Sequence, residues 1–188
     1  MNDETYIQSY LTETKIIADE IDGNEIAKMI SALRNVRRCG GRLFVLGVGG
    51  SAGNASHAVN DFRKIGGIEC YAPTDNVSEL TARTNDDGWA STFTEWLKTS
   101  QINEKDAIMV LSVGGGSHHT SLNIKEAVDL AMMRSSKVLG IVSRDGGFTK
   151  KNADACVLIP VVNDSRTTPH AEGWQGIVWH LVVNALDI

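Results

Sequence analysis

The stretch LFVLGVGGSAGNASH, Leu43 to His57, passes from an apolar run through glycines to a serine, then to small residues ending in a histidine. Its first four residues read as a strand that is apolar on both faces. Glycines then let the backbone turn sharply and approach a ligand closely. The helix expected over Ala52–Lys64 presents unpaired amides and the positive end of its dipole, a setting that suits an anion. Ser51 adds a hydroxyl donor at the same place. A phosphate is the economical ligand for such a loop, and the alternative is a tight strand–helix turn that binds nothing. No lysine follows as in a Walker loop, and Ala52 takes the last position of a G-x-G-x-x-G pattern, a near miss.

The same alternation continues outward. RLFVLG (42–47), AIMVLSV (107–113), KVLGIVS (137–143) and ACVLIPV (155–161) read as two-faced apolar strands, and GIECYAP (67–73) is a weaker candidate. Helical patterns lie between them over Ala52–Lys64, Ser78–Thr84, Trp89–Ser100, Ser121–Met133 and Pro169–Leu186. Strands apolar on both faces alternating with helices argue for an α/β fold whose parallel sheet is covered on both sides. Upstream, Ile7, Leu11, Ile16, Ile17 and Ile21, then Ile26, Met29, Ile30, Leu33 and Val36, mark two helices joined at Asp22–Asn24. No repeat or linker divides the chain, so residues 1–188 are expected to form one domain.

Parallel sheets of this kind bind ligands beyond the carboxyl ends of their strands. Three loops are therefore candidates. The first is the opening stretch. The second, SVGGGSHHTS (112–121), repeats its logic with three glycines and three serines, so the two could share one phosphate; the adjacent His118 and His119 read as exposed loop residues. The third, SRDGGF (143–148), reads as a turn without chemistry.

Two clusters stand outside the loops. His57 and Asp61 are four residues apart on one helix and share a face. In TTPHAEGWQGIVWH (167–180), Thr168 and Pro169 read as a helix start. Glu172 and His180 are separated there by about 12 Å of helix axis and a rotation of about 80°. His57, Asp61, Glu172 and His180 form a mixed nitrogen–oxygen set. It fits a divalent metal such as zinc, and it fits an acid–base set beside a sugar carbonyl equally well.

The chain has 188 residues, 42% hydrophobic, with a net charge of −5. That balance and the lack of long basic runs argue against nucleic acid as a partner. The densest basic patch, Arg34–Arg42, reads as a helix C-terminus. Three cysteines, Cys39, Cys70 and Cys156, lack metal or disulfide spacing. Residues Met1–Thr14 do not resemble a signal peptide, and no apolar run reaches the ~20 residues of a membrane span. A cytoplasmic protein without a membrane partner is the expectation.

Taken together and in order, GVGGSAGNASH, TARTNDDGW (81–89) and TPHAEGWQGIVWH (168–180) resemble the sugar isomerase (SIS) domain and, within it, the phosphoheptose isomerases. The resemblance covers nearly the whole chain. It implies a flavodoxin-like, three-layer αβα sandwich around a five-stranded parallel sheet. It also implies a homotetramer built through an N-terminal helical extension (residues 1–40), with active sites between subunits. The implied reaction interconverts sedoheptulose 7-phosphate and D-glycero-D-manno-heptose 7-phosphate, as in heptose synthesis for lipopolysaccharide, capsule or other surface glycans. Zinc ligands of the family fall on His57, Asp61, Glu172 and His180. The residues around substrate fall on Gly49, Gly50, Ser51, Asn85, Asp86, Ser112 and Ser117. Either Glu172 or Asp61 would act as base, with His180 as its partner. This chain departs from the family at Val48 (Asn), at Val113 and Gly114 in the phosphate loop (Thr and Ser), at Asp61 (Glu) and at Glu172 (Gln), and it carries the extra HHTS segment. The same domain also serves as a non-catalytic sugar-phosphate sensor or protein-interaction module, and as an isomerase of other sugar phosphates.

Overall fold

The computed structural model describes residues 2–188. Five parallel strands lie in the order β2-β1-β3-β4-β5: β1 (Arg42–Gly47), β2 (Glu69–Tyr71), β3 (Ala107–Ser112), β4 (Lys137–Ser143) and β5 (Ala155–Ile159). Register runs in phase from edge to edge, Leu43 beside Ala107, Met109 beside Leu139 and Ile141 beside Val157. The strand order reverses between β1 and β3, so the loops that follow these two strands flank the topological switch point.

Side-chain alternation sorts the core into two layers. On one face Leu43, Val45, Met109, Leu111 and Ile141 pack beneath α1 (Asp3–Glu20), α2 (Gly23–Arg38), α3 (Gly50–Lys64) and α8 (Thr167–Asn184). On the other, Phe44, Leu46, Ile108, Val110 and Val142 pack beneath α5 (Thr92–Thr99), α6 (Leu122–Met133) and α7 (Gly147–Asn152). The remaining helix, α4 (Val77–Asp86), lies outside both layers against α5. The three-layer αβα architecture with a five-stranded parallel sheet is as expected.

Local physics accounts for most element ends. Asn2 and Asp22 cap α1 and α2 by accepting amide hydrogens of Thr5 and Asn24. The basic patch at the end of α2 is structural. Arg34 and Arg37 donate to the carbonyls of Ala185 and Leu186, and Arg37 also reaches Gly66 O. Three expectations need correction. Residues 143–148 are more than a turn, because α7 starts at Gly147 and places Phe148 on the core. Helix α8 starts at Thr167, ahead of Thr168–Pro169, because a 3-10 turn at Asp164–Arg166, capped by Asn163, runs directly into it. Strand β2 is limited to three residues at the sheet edge, with only Cys70 of the three buried. Both strand cysteines are buried, and loss of water pushes the Cys156 thiol up to about 12 and Cys70 up as well.

The polar contacts of helix α1 with the body centre on one carboxylate. Glu13 is buried and accepts from Asn163, from the Arg166 guanidinium and from His170, whose ring lies tilted against Tyr10 with 4.4 Å between centroids. Arg166 beside it holds the Glu13 carboxyl down at about 2, His170 and Asn163 adding to the effect and burial opposing it.

Candidate functional site: a glycine-walled cavity and a histidine–aspartate cluster

At the carboxyl end of the sheet, the loops after β1, β3 and β4 enclose a cavity of about 670 Å³. Val48 and Ser51 come from the first loop, Ser112 to Ser121 from the second, and Arg144, Asp145, Gly147, Phe148 and Lys151 from the third, with Glu172 from α8. The loop dismissed from sequence is thus one wall of the cavity.

The second and third loops brace each other. Amides of Phe148 and Thr149 donate to the carbonyls of Gly116 and Gly115, and the Thr149 hydroxyl reaches Gly115 O at 2.7 Å. Gly115 has φ +67°, and any Cβ on it would run into the Gly146 carbonyl, so only glycine fits there. Arg144 lines the cavity from a left-handed backbone conformation, φ 55°. Neither Arg144 nor Lys151 joins an ion pair among the described residues, whereas Asp145 already accepts the Gly147 amide.

The predicted hydroxyls differ in their freedom. Ser51 is buried at the start of α3, where Gly49 occupies the N-cap with φ 64°. Ser112 Oγ accepts from the Gly115 amide at 3.1 Å, which leaves its own hydrogen to donate. Ser117 Oγ accepts the amides of His119 and Thr120 and so closes the HHTS turn. Gly50 packs directly beneath the Glu172 carboxylate, and a side chain there would collide with it. Asn85 and Asp86 end α4, exposed and hydrogen-bonded to each other, and do not line this cavity.

A second cluster lies further along α3 and α8. His57, Asp61 and His180 bring one ligand atom each within 4.8 Å of one another. Among the described residues Glu172 is not part of that group. It sits two turns earlier on α8, at the cavity. His180 Nδ1 contacts the Gly176 carbonyl at 2.7 Å and must donate to it. Its Nε2 then turns toward Asp61 Oδ2, 3.2 Å away, with His57 Nε2 3.7 Å from the same oxygen. A nitrogen lone pair facing a carboxylate oxygen calls for a shared cation, either a proton or a metal. Asp61 is held in place by hydrogen bonds from Trp179 Nε1 and Asn60 Nδ2, the type of outer support that orients a ligating carboxylate.

Between cavity and cluster runs a partly buried polar chain that sequence reading did not single out. Asn54 Nδ2 donates to the Glu172 carbonyl and to Gln175 Oε1, and Gln175 Nε2 donates to Ser51 Oγ at 3.1 Å. Gln175 is wholly buried, a fact that its sequence neighbours do not announce.

No protein-family profile matches the chain. Among curated proteins it is 29% identical over 194 residues to a phosphoheptose isomerase of Geobacter metallireducens, covering 100% of this chain and 97% of that one. It is 27% identical over 191 residues to a phosphoheptose isomerase of Syntrophotalea carbinolica, covering 96% and 92%. The chain is thus similar to phosphoheptose isomerases along nearly its whole length. Its fold matches that of a solved phosphoheptose isomerase from Francisella tularensis with a TM-score of 0.84 at 23% identity, over 100% of this chain and 99% of the other. Among the described residues no helix is long and apolar enough to cross a membrane.

Proposed function

We propose that this chain is a phosphosugar aldose–ketose isomerase that interconverts sedoheptulose 7-phosphate and D-glycero-D-manno-heptose 7-phosphate. The observation that carries the reading is one cavity lined by an anion-binding helix start, donor hydroxyls, two unpaired cations and the carboxylates of Glu172 and Asp145. A phosphosugar has an anionic end and a neutral polyol end. The phosphate is held by Ser51, Ser112 and the Gly49–Gly50 turn, with Arg144 and Lys151 in place of the hydroxyl donors absent at Val113 and Gly114 and of Ser117, whose hydroxyl is spent on its own turn. Binding energy from that end fixes the sugar against the proton carrier, which is the proximity contribution to catalysis.

Glu172 is the base. It faces the cavity, whereas Asp61 is buried and already accepts from Trp179 and Asn60. Glu172 takes a proton from C1 of the ketose while O2 gains one, giving a cis-enediol. Loss of the O1 proton and return of a proton to C2 give the aldose, with no net change in protons or electrons. His57, Asp61 and His180 fit zinc as a nitrogen-rich set with a supported carboxylate. When bound there, zinc would polarise a substrate oxygen or order the site. His180, with Nδ1 fixed on Gly176 O, presents Nε2 to that cluster and serves as the partner of the base.

Residues 1–188 act as one sugar isomerase domain in the cytoplasm. A homotetramer would cover the apolar side of α1, where Ile7 and Leu11 are each 52% exposed, and would bring Asn85 and Asp86 to a neighbour's cavity. Incubation with sedoheptulose 7-phosphate should yield the aldose, and His180→Gln should abolish turnover while the circular dichroism spectrum stays unchanged. Tight sugar-phosphate binding without turnover by the unaltered protein would instead make it a sensor.

A further inference from the structure

The chain Glu172–Asn54–Gln175–Ser51, half-buried at its first two members and buried at its last two, has only one consistent hydrogen-bond polarity. A backbone carbonyl can only accept, so the Asn54 atom 2.9 Å from the Glu172 carbonyl is its amide nitrogen. That same nitrogen lies 2.9 Å from one end of the Gln175 side chain, which must therefore be the oxygen. The other end, at Ser51 Oγ, is then the Gln175 amide nitrogen, and Ser51 accepts from it. The bond from Gln175 takes one Ser51 lone pair, and no protein acceptor among the described residues takes the Ser51 hydrogen, which is left to donate. Gln175 is wholly buried and Ser51 is 2% exposed yet lines the cavity, so water does not scramble this polarity.

We propose that Gln175 is a positioning residue that fixes Ser51 as a hydrogen-bond donor toward the cavity. The position therefore selects a substrate atom that accepts and carries no proton of its own, as a phosphate-monoester oxygen does. The identity of that atom rests on the isomerase reading above, whereas the polarity of the relay stands on the hydrogen bonds alone.

Gln175→Glu keeps the shape and reverses the polarity. One carboxylate oxygen still accepts from Asn54, and the other turns the Ser51 hydrogen inward. The expected result is a KM for sedoheptulose 7-phosphate raised about tenfold or more, with kcat within about threefold of the unaltered protein. Weaker competition by inorganic phosphate should accompany it. Ser51→Ala should give a similar KM, and Gln175→Glu added to Ser51→Ala should cost nothing further. If the buried glutamate prevents folding, judged by thermal unfolding, Gln175→Met takes its place. It leaves the hydroxyl unheld, and a smaller rise in KM should appear that again vanishes in the Ser51→Ala background. Folded variants with unaltered KM, or a KM effect that persists without Ser51, would overturn the proposal and leave the isomerase reading intact. An unaltered protein that neither isomerises the sugar phosphate nor binds inorganic phosphate would overturn both.

Discussion

The two ends of the sheet are built from the same residue types and used in opposite ways. At the amino end, Asp106 is 1% exposed and saturated. It accepts the Arg42 amide and guanidinium and both the backbone and side-chain nitrogens of Asn103, while Arg42 also donates to Ser100 O and Gln101 O. Asp154 likewise takes the Val138 amide and Lys137. At the carboxyl end, Arg144 and Lys151 face a cavity without ion-pair partners, and Glu172 rests on a bare glycine. The chain satisfies its own polar groups where it needs only stability. It leaves valence unspent where a ligand can use it.

That contrast is most exposed to failure at Glu172. Glu172→Gln keeps the size and removes the base, so turnover should fall about 10³-fold, with the melting temperature changed by less than about 2 °C. Retained activity would transfer the base role to Asp61 and place Glu172 among residues that merely fill space. At the opposite end of the sheet the expected effect is on folding. Asp106→Ala takes the carboxylate from Arg42, whose guanidinium keeps only two carbonyl partners, and strands several amides, and it should cost about 3 kcal/mol in denaturant unfolding. A loss near zero would mean that the amino end is no more committed to stability than the carboxyl end.

Much of the comparison could be read before any coordinates. The strand–glycine–serine–helix turn at Leu43–Ser51 was legible because apolar run, glycines and helix period change abruptly there. His57 and Asp61 were legible because a spacing of four is a local property of one helix. The third loop was not, since Asp-Gly-Gly describes a turn equally well whether or not a six-residue helix follows it and cations flank it. Gln175 was hidden for another reason. Its partners Ser51 and Asn54 are more than 120 residues away, and nothing local marks a glutamine as buried. Ser117 was expected to face substrate, but the HHTS segment draws its oxygen into a turn of its own. Asn85 and Asp86 carry a family pattern, yet one protomer does not bring them to the cavity.

A third test uses Glu13, a carboxylate saturated by its neighbours like Asp106 but located where α1 meets α8. Its ordinary value is 4.5 and the folded value about 2, with Arg166 the main cause. A carboxyl lowered by folding stabilises the fold above its unfolded pKa and loses that contribution as pH falls through the folded one. Glu13→Gln should therefore melt about 5 °C lower at pH 7, and the gap should close between about pH 4.5 and pH 2. A gap independent of pH would assign the loss to packing.

The smallest expected effect lies at the cavity rim, and it separates charge from shape. Lys151→Gln leaves fold and chemistry alone and removes one of two unpaired cations. Because the rim is exposed to solvent, its charge is screened, so KM for the sugar phosphate should rise only about threefold at low salt, with kcat unchanged. Raising the ionic strength should weaken substrate binding by the unaltered protein and bring its KM toward that of the variant. The steady-state rates of both proteins at several salt concentrations measure this directly. If their KM values differ by the same factor at high salt as at low, Lys151 acts through a fixed contact, and its valence is spent in the same way as that of Arg42 at the other end of the sheet.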